Sequence, residues 1–359
     1  MENLVAGRVP MPSLIADDLD DIAWLTDSLW DELRGNRIFI TGGTGFFGCW
    51  LLESFLRANE RFGLKSRAVV LTRHPERLRE QAPHLASHPA IALHLGDVRD
   101  FEFPAGSFTH VIHAATEASA ALNSTAPHTM LDTNLRGTSR CLEFAAACGA
   151  RKFLLTSSGG VYGAQPSEVT HLAETFTGGP DPLSCDSAYA EGKRIAELQC
   201  AMAARSGSFE TKIARCFAFV GPYMKFDTHF AIGNFIRDQV EGQAIVIQGD
   251  GTAVRSYLYA SDLMVWLWTI LFRGQNCRAY NVGSERAVSM AELAAAVAQT
   301  ALPRVKVEIR GQPTGLPPQR YVPSTERARQ ELCLQERVSL HAAINKTRGW
   351  RLQSQQVIA

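Results

Sequence analysis

Arg37-Ile38-Phe39-Ile40-Thr41-Gly42-Gly43-Thr44-Gly45-Phe46-Phe47-Gly48 runs from the apolar Ile38-Phe39-Ile40 into three glycines that recur every third residue. The apolar run reads as a buried strand, and Cys49 to Leu56 reads as the helix that follows. Between strand and helix, Gly42-x-x-Gly45-x-x-Gly48 permits a tight turn and lets backbone N–H groups approach a pyrophosphate at the helix N-terminus. This context separates a dinucleotide-binding turn from a chance glycine match.

Further buried strands are expected at Ala68-Val69-Val70-Leu71, Ile91 to Leu95, Thr109 to His113 and Lys152 to Thr156, with helices between most of them, as at 127–148. That alternation predicts an α/β fold, a Rossmann-type doubly wound parallel sheet. Past residue 215 the pattern loosens into Gly-Pro turns, a polar stretch at 249–256 and the segment from Pro313 to Pro323. The expected organisation is a dinucleotide-binding domain over 36–215 with a returning segment near 255–275. Residues 216–359 mainly form a smaller C-terminal substrate-binding lobe over the carboxyl edge of the sheet. Residues 1–35 form a helical extension in which Ile22, Leu25, Leu29 and Leu33 recur at helical spacing behind Asp17, Asp18, Asp20 and Asp21. Trp24 and Trp30 are expected to enlarge its contact surface.

The bulk composition limits what else the chain does. Thirty-six basic residues balance 36 acidic ones, so the net charge offers no general attraction to nucleic acid or an anionic membrane. Eight scattered cysteines contain no CxxC pair and no Cys/His cluster at zinc spacing, so no metal is expected and the thiols read mainly as small buried groups. No basic-then-apolar leader and no long uncharged apolar stretch stands out, and a cytoplasmic protein is expected.

Tyr189-Ala190-Glu191-Gly192-Lys193 carries the chemistry. A Tyr and a Lys four apart share one helix face, where an ammonium can draw a phenol from about pKa 10 toward neutrality. The resulting phenolate is a base for a sugar or alcohol hydroxyl. The serine run Thr156-Ser157-Ser158 precedes it in the chain and adds a hydroxyl to the set.

With the glycine turn, His113-Ala114-Ala115, Ser158 and YxxxK in this order, the chain resembles the extended short-chain dehydrogenase/reductases, from about residue 36 to 350. Within them it is similar to the nucleotide-sugar epimerase/dehydratase/decarboxylase branch. Further matching pieces are Thr133-Asn134, Gly137-Thr138, Val161-Tyr162-Gly163, Gly221-Pro222, Arg255 to Asp262 and Tyr280 to Gly283. The resemblance implies that Ser158 binds the reacting hydroxyl, that Tyr189 is the base, and that Lys193 holds the nicotinamide ribose. It implies a dinucleotide site of Gly42, Thr44, Gly45, Phe46, Phe47, Gly48, Arg73, Asp97, Val98, His113, Ala114, Ala115, Asn134, Thr156, Tyr189 and Lys193. It places Arg255 and Arg320 on the substrate diphosphate, Asn234 near the nucleotide, and Glu117 and Ser119 at the sugar. It also implies a nucleotide-diphosphate-sugar substrate and a homodimer built through the helix near 127–148 and the Tyr189 helix.

The departures rank the reactions. Sugar 4,6-dehydratases carry Asp-Glu after the residue matching Ser158, whereas this chain has Gly159 and Gly160. That leaves Tyr189 as the evident acid/base, sets dehydration aside and favours epimerisation through transient oxidation at sugar C4. UDP-glucuronate decarboxylases give the closest-looking run, with Tyr189 to Arg194 resembling YDEGKR. Their active-site Glu falls at Gly160 and their Arg at Asp186, so decarboxylation and keto-sugar reduction stand as alternatives. The second strand ends Thr72-Arg73-His74 without an acid, and Arg73 suits a 2′-phosphate, so the cofactor is NAD or NADP with a lean to NADP.

Overall fold

The computed structural model describes residues 15–116, 120–226, 230–301 and 303–358. Seven parallel strands form the central sheet: β1 (Arg37–Thr41), β2 (Arg67–Thr72), β3 (Ile91–Leu95), β4 (His110–His113), β5 (Lys152–Ser158), β6 (Glu210–Cys216) and β7 (Arg278–Val282). Their order, 7-6-5-4-1-2-3, reverses direction between β1 and β4. Strands buried on both faces need continuous apolar runs, and Ile38, Phe39 and Ile40 in β1 are fully buried. In doubly wound sheets ligands bind outside the carboxyl ends at such a reversal, which here is the Gly42 turn.

Helices cover both faces. α1 (Ala16–Leu25), α2 (Phe46–Arg61), α3 (Pro127–Ala147), α4 (Ala188–Ser206), α5 (Ala231–Val240), α6 (Ala260–Arg273), α7 (Met290–Ala298) and α8 (Leu340–Ile358) are the main ones. α3 and α4 pack against each other, and Gly192 allows the approach, since a Cβ there would lie 2.9 Å from the Cβ of Asn134. α6 and β7 bring the chain back to the sheet after it has left β6.

The amphipathic extension is helical but changes pitch at Thr26, from α1 to a 3-10 segment over Asp27–Leu33. The Thr26 hydroxyl donates to the Ile22 carbonyl at 2.6 Å and accepts from the Trp30 indole at 2.9 Å. Ile22, Leu29, Trp30 and Leu33 are buried against the main body, whereas Trp24 is 64 % exposed and adds nothing to that contact. Asp18 is buried as well, held by the Tyr259 hydroxyl at 2.8 Å and Lys346 Nζ at 2.7 Å.

The smaller lobe has its own core of Ile232, Phe235, Ile236, Ile245, Leu293, Val297 and Ile344. Its strand pieces are short. Val254–Arg255 lies between Val288–Ser289, antiparallel, and Arg320–Tyr321, parallel, with Tyr321 in register with Arg255. Four of the eight cysteines, Cys49, Cys141, Cys200 and Cys216, are buried, and all eight are free. Among the described residues no helix is long and apolar enough to cross a membrane.

Candidate active site

The dinucleotide turn is built by contacts that only glycine allows. Gly42 has φ +74°, and a Cβ there would lie 2.5 Å from the Ala114 carbonyl oxygen. A Cβ at Gly48 would meet the Gly43 Cα at 2.3 Å. Gly45 differs, because a Cβ there would find no protein atom nearer than the Gly42 oxygen at 3.7 Å. The protein's own packing does not demand glycine at Gly45, but a ligand against the N-terminus of α2 would. The turn therefore fits a pyrophosphate. Thr44 lies in this turn, and Phe46 and Phe47 open α2, with Phe47 edge-on to Phe219 at 5.2 Å.

At the end of β4 the residues expected around the dinucleotide divide into lining and support. Ala114 and Ala115 border the turn, and the Ala115 N–H donates to Thr41 at 3.0 Å. The His113 side chain is buried between the Thr41 hydroxyl, 2.8 Å from Nδ1, and the Thr138 hydroxyl, 3.2 Å from Nε2. Burial, then the Lys193 charge, holds its pKa down to about 3, so it is a neutral support. Val98 is buried over Gly137, whose Cβ would approach it to 2.9 Å.

Asp97 hydrogen-bonds Arg99, at 2.9 Å to Nε and 3.1 Å to Nη2, and lies 3.9 Å from the Arg73 guanidinium. The hydrogen bond from Arg99 is the main cause that lowers the Asp97 pKa. Arg99 also reaches Asp132 at 3.3 Å. Arg73 thus belongs to a group in which it, Arg99 and Arg136 stand beside two carboxylates, Asp97 and Asp132.

Ser158 ends β5, and its Oγ accepts from the Gly160 N–H at 3.0 Å. Tyr189 and Lys193 come from the first turns of α4, packed across the same strand. Lys193 is buried, and its Nζ donates to the Thr116 hydroxyl and the Thr156 carbonyl, each at 2.8 Å. Thr116 in turn donates to Asn134 at 3.4 Å, which anchors to the Met130 carbonyl at 2.9 Å. Desolvation lowers the Lys193 pKa to about 8, so the ammonium persists at neutral pH but with a loosened proton.

The Tyr189 phenol departs from expectation. Burial pushes it up to about 12, a hydrogen bond with Ser158 offsets part of that, and Lys193 is not among the influences. The lysine head is committed to Thr116 and Thr156 instead. Helical spacing places the two side chains on one face but does not fix which neighbour the ammonium chooses.

Several predicted contacts come from the smaller lobe, and some partners were not legible in the sequence. Arg255 shares a register position with Tyr321, and its guanidinium donates to the Val254 carbonyl at 2.9 Å. Arg320 is in register with Val254, on the opposite face of the strand pair from Arg255. Its Nε is buried without a hydrogen-bond partner among the described residues. Asn234 lines a cavity of about 530 Å³ in the small lobe with Phe235, Val246, Gln248 and Met290. Glu117 and Ser119 lie outside the described residues. Cys185 and Asp186 are exposed on the 3-10 turn that leads into α4.

Thr116 carried a weak signal, directly after His113-Ala114-Ala115, whereas Tyr321 carried none. The Tyr321 phenol stands beside Ser158, and its oxygen lies 2.6 Å from where a Gly159 Cβ would stand. Among the described residues, two carboxylates near the centre are engaged elsewhere. Glu197 accepts from Ser157 at 2.6 Å and pairs with Arg215, and Glu174 accepts from the Asn281 N–H at 2.8 Å.

The fold is that of solved nucleotide-sugar enzymes. UDP-glucose 4-epimerase from Thermotoga maritima superposes with a TM-score of 0.75 at 20% identity, over 89% of this chain and 99% of that one. The dTDP-glucose 4,6-dehydratase from Streptomyces venezuelae, solved with NAD, gives 0.75 at 21%, over 89% and 98%. In sequence the chain is 30% identical to UDP-glucuronic acid decarboxylase 6 of Arabidopsis thaliana over 309 residues, 86% of each protein. These comparisons overturn the ranking that put epimerisation first and set dehydratase-type chemistry aside, because the sequence relatives carry a decarboxylase's name and a dTDP-glucose 4,6-dehydratase shares the fold. The ranking rested on the carboxylates missing after Ser158. It overlooked that Gly159 opens space for a phenol from the other lobe. The model of the NAD dependent epimerase/dehydratase family matches residues 38–283, and the chain belongs to that family.

Proposed function

We propose that the protein oxidises a nucleotide-diphosphate-linked uronic acid at C4 and decarboxylates the 4-keto sugar, in the manner that the name UDP-glucuronic acid decarboxylase describes for its relatives. One observation carries the reading. Hydroxyls of Ser158, Tyr189 and Tyr321 converge at the end of β5, while Glu174 and Glu197 are tied to other partners. Dehydration requires a base at C5 and an acid at the departing oxygen. A β-keto acid needs neither, because breaking the C5–C6 bond places its electron pair directly into the C4–C5 enolate. Hydrogen-bond donors at the C4 oxygen suffice for that step.

Ser158 and Tyr189 hold the C4 hydroxyl, and Tyr189 takes its proton as the ketone forms, returning it when the C4 hydroxyl is restored. An oxidised nicotinamide supplies the hydride acceptor and a positive charge that favours the Tyr189 phenolate. Lys193, fixed by Thr116 and Thr156, orients the ribose, and the Gly42 turn holds the pyrophosphate. Arg73 lies against Asp97, which competes with a 2′-phosphate for its guanidinium, and we propose NAD, the dinucleotide solved with the Streptomyces venezuelae neighbour. Arg255 is the proposed diphosphate contact, and the Asn234 cavity is proposed to receive the nucleotide. The resemblance to homodimers agrees with Leu135, Leu198 and Met202 standing exposed on α3 and α4. Incubation with a panel of UDP-linked sugars, read by NMR and mass, tests the reading. UDP-glucuronate should yield a UDP-pentose without net nicotinamide consumption. Conversion of neutral UDP-hexoses alone would refute it.

A further inference from the structure

Tyr321 is held at the centre by both lobes. Its backbone pairs with Val254–Arg255 on one side. On the other, the Val322 N–H donates to Gln165 at 2.9 Å and the Val322 carbonyl accepts from the Leu172 N–H at 2.9 Å. The ring lies 4.7 Å from that of Phe217, and the phenol reaches the Ser158 hydroxyl. Gly159 makes this possible, since a Cβ there would stand 2.6 Å from the Tyr321 oxygen and 2.8 Å from Phe217 Cε1. Neither contact is with an exposed, yielding side-chain end. Even one methyl would force the phenol out. The glycine that removes a chain-adjacent carboxylate therefore admits a second tyrosine.

We propose that Tyr321 is the second acid of this site, giving its proton to the sugar carbon next to the oxidised one. The inference rests on the uronate reading above. When the C5–C6 bond breaks, CO2 leaves with its carbon and the electron pair becomes the C4–C5 enolate. The Tyr321 O–H then protonates C5, and its phenolate regains a proton from water, so one solvent proton is consumed per CO2 released. Tyr189 keeps the C4 proton throughout, and the two phenols divide the work across Ser158. Burial and the nearby Tyr189 raise the Tyr321 pKa, which keeps it protonated and suits it to donate.

The test compares the holoenzyme with Tyr321→Phe and Gly159→Ala in D2O, using UDP-glucuronate. It reads three events: the burst of reduced nicotinamide, CO2 release and deuterium at product C5. For Tyr321→Phe, the burst should stay within about threefold of the parent. Formation of C5-deuterated product should fall at least about 100-fold, the scale of a lost general acid. Gly159→Ala, which displaces the same phenol, should repeat that split. Unchanged product formation in Tyr321→Phe would overturn the assignment while leaving the uronate reading intact, as would equal loss of burst and product. If the parent releases no CO2 but converts another UDP-sugar, the uronate reading falls. The same burst-against-product split on that sugar then upholds Tyr321, and its absence overturns it.

Discussion

At neutral pH the Tyr189 phenol holds its proton in the protein alone, because desolvation outweighs the Ser158 hydrogen bond. On the proposed mechanism the base is made by ligand binding, when a cationic ring arrives beside a site whose own ammonium is bonded to Thr116 and Thr156. Replacing Tyr189 by Phe should lower turnover by about 10²–10⁴-fold while dinucleotide stays bound, as measured by steady-state rates and bound nicotinamide per chain. Spectrophotometric titration of the tyrosines should follow the same logic, with the Tyr189 phenol ionising at lower pH in the NAD complex than in the protein freed of dinucleotide. Ser158, Tyr189 and Lys193 were legible because each sits in a local motif. Their hydrogen-bond partners were not, since Thr116 and Tyr321 approach through folding rather than spacing.

The strand-turn-helix unit was the most legible element, because its glycines recur within seven residues between an apolar run and a helix, although the contact that demands Gly42 is with Ala114 and comes from folding. Those glycines separate fold from function in a measurable way. Gly48→Ala puts a Cβ 2.3 Å from a backbone carbon and should destabilise the protein by at least about 1–3 kcal/mol in denaturant titrations. Gly45→Ala meets nothing within 3.7 Å and should leave the melting temperature near the parent's while weakening dinucleotide binding. Strand β4 makes a second prediction. Burial holds His113 down to about 3 and His110 down to about 4, so both stay neutral in the fold while the unfolded chain protonates near 6.5. Their stabilising contribution is complete above pH 6.5 and is lost as pH falls toward those values, by about 1.4 kcal/mol per pH unit for each group. His113→Asn should flatten the acid limb of a plot of unfolding free energy against pH. An unchanged slope would remove His113 from the account.

Across the whole molecule, a parallel sheet and its first five strands were legible as alternating apolar runs, whereas the strand order and the strands at Glu210–Cys216 and Arg278–Val282 were not. The small lobe was illegible because its strand pieces are two or three residues long and pair across large sequence separations. That is why Tyr321 escaped notice and why the glycines after Ser158 read as a loss of acid/base groups. The exposed Leu198 and Met202 on α4 belong to the same scale. A double substitution of both to Glu should convert a dimer to monomers in sedimentation analysis, with the fold retained by circular dichroism. The most direct test of the proposed reaction uses UDP-glucuronate labelled with ¹³C at C6, followed by NMR with the holoenzyme and its Tyr189→Phe variant. The account predicts that the label leaves as CO2 while a UDP-pentose appears, without net consumption of nicotinamide, and that the variant does neither. Label retained in the sugar would contradict it.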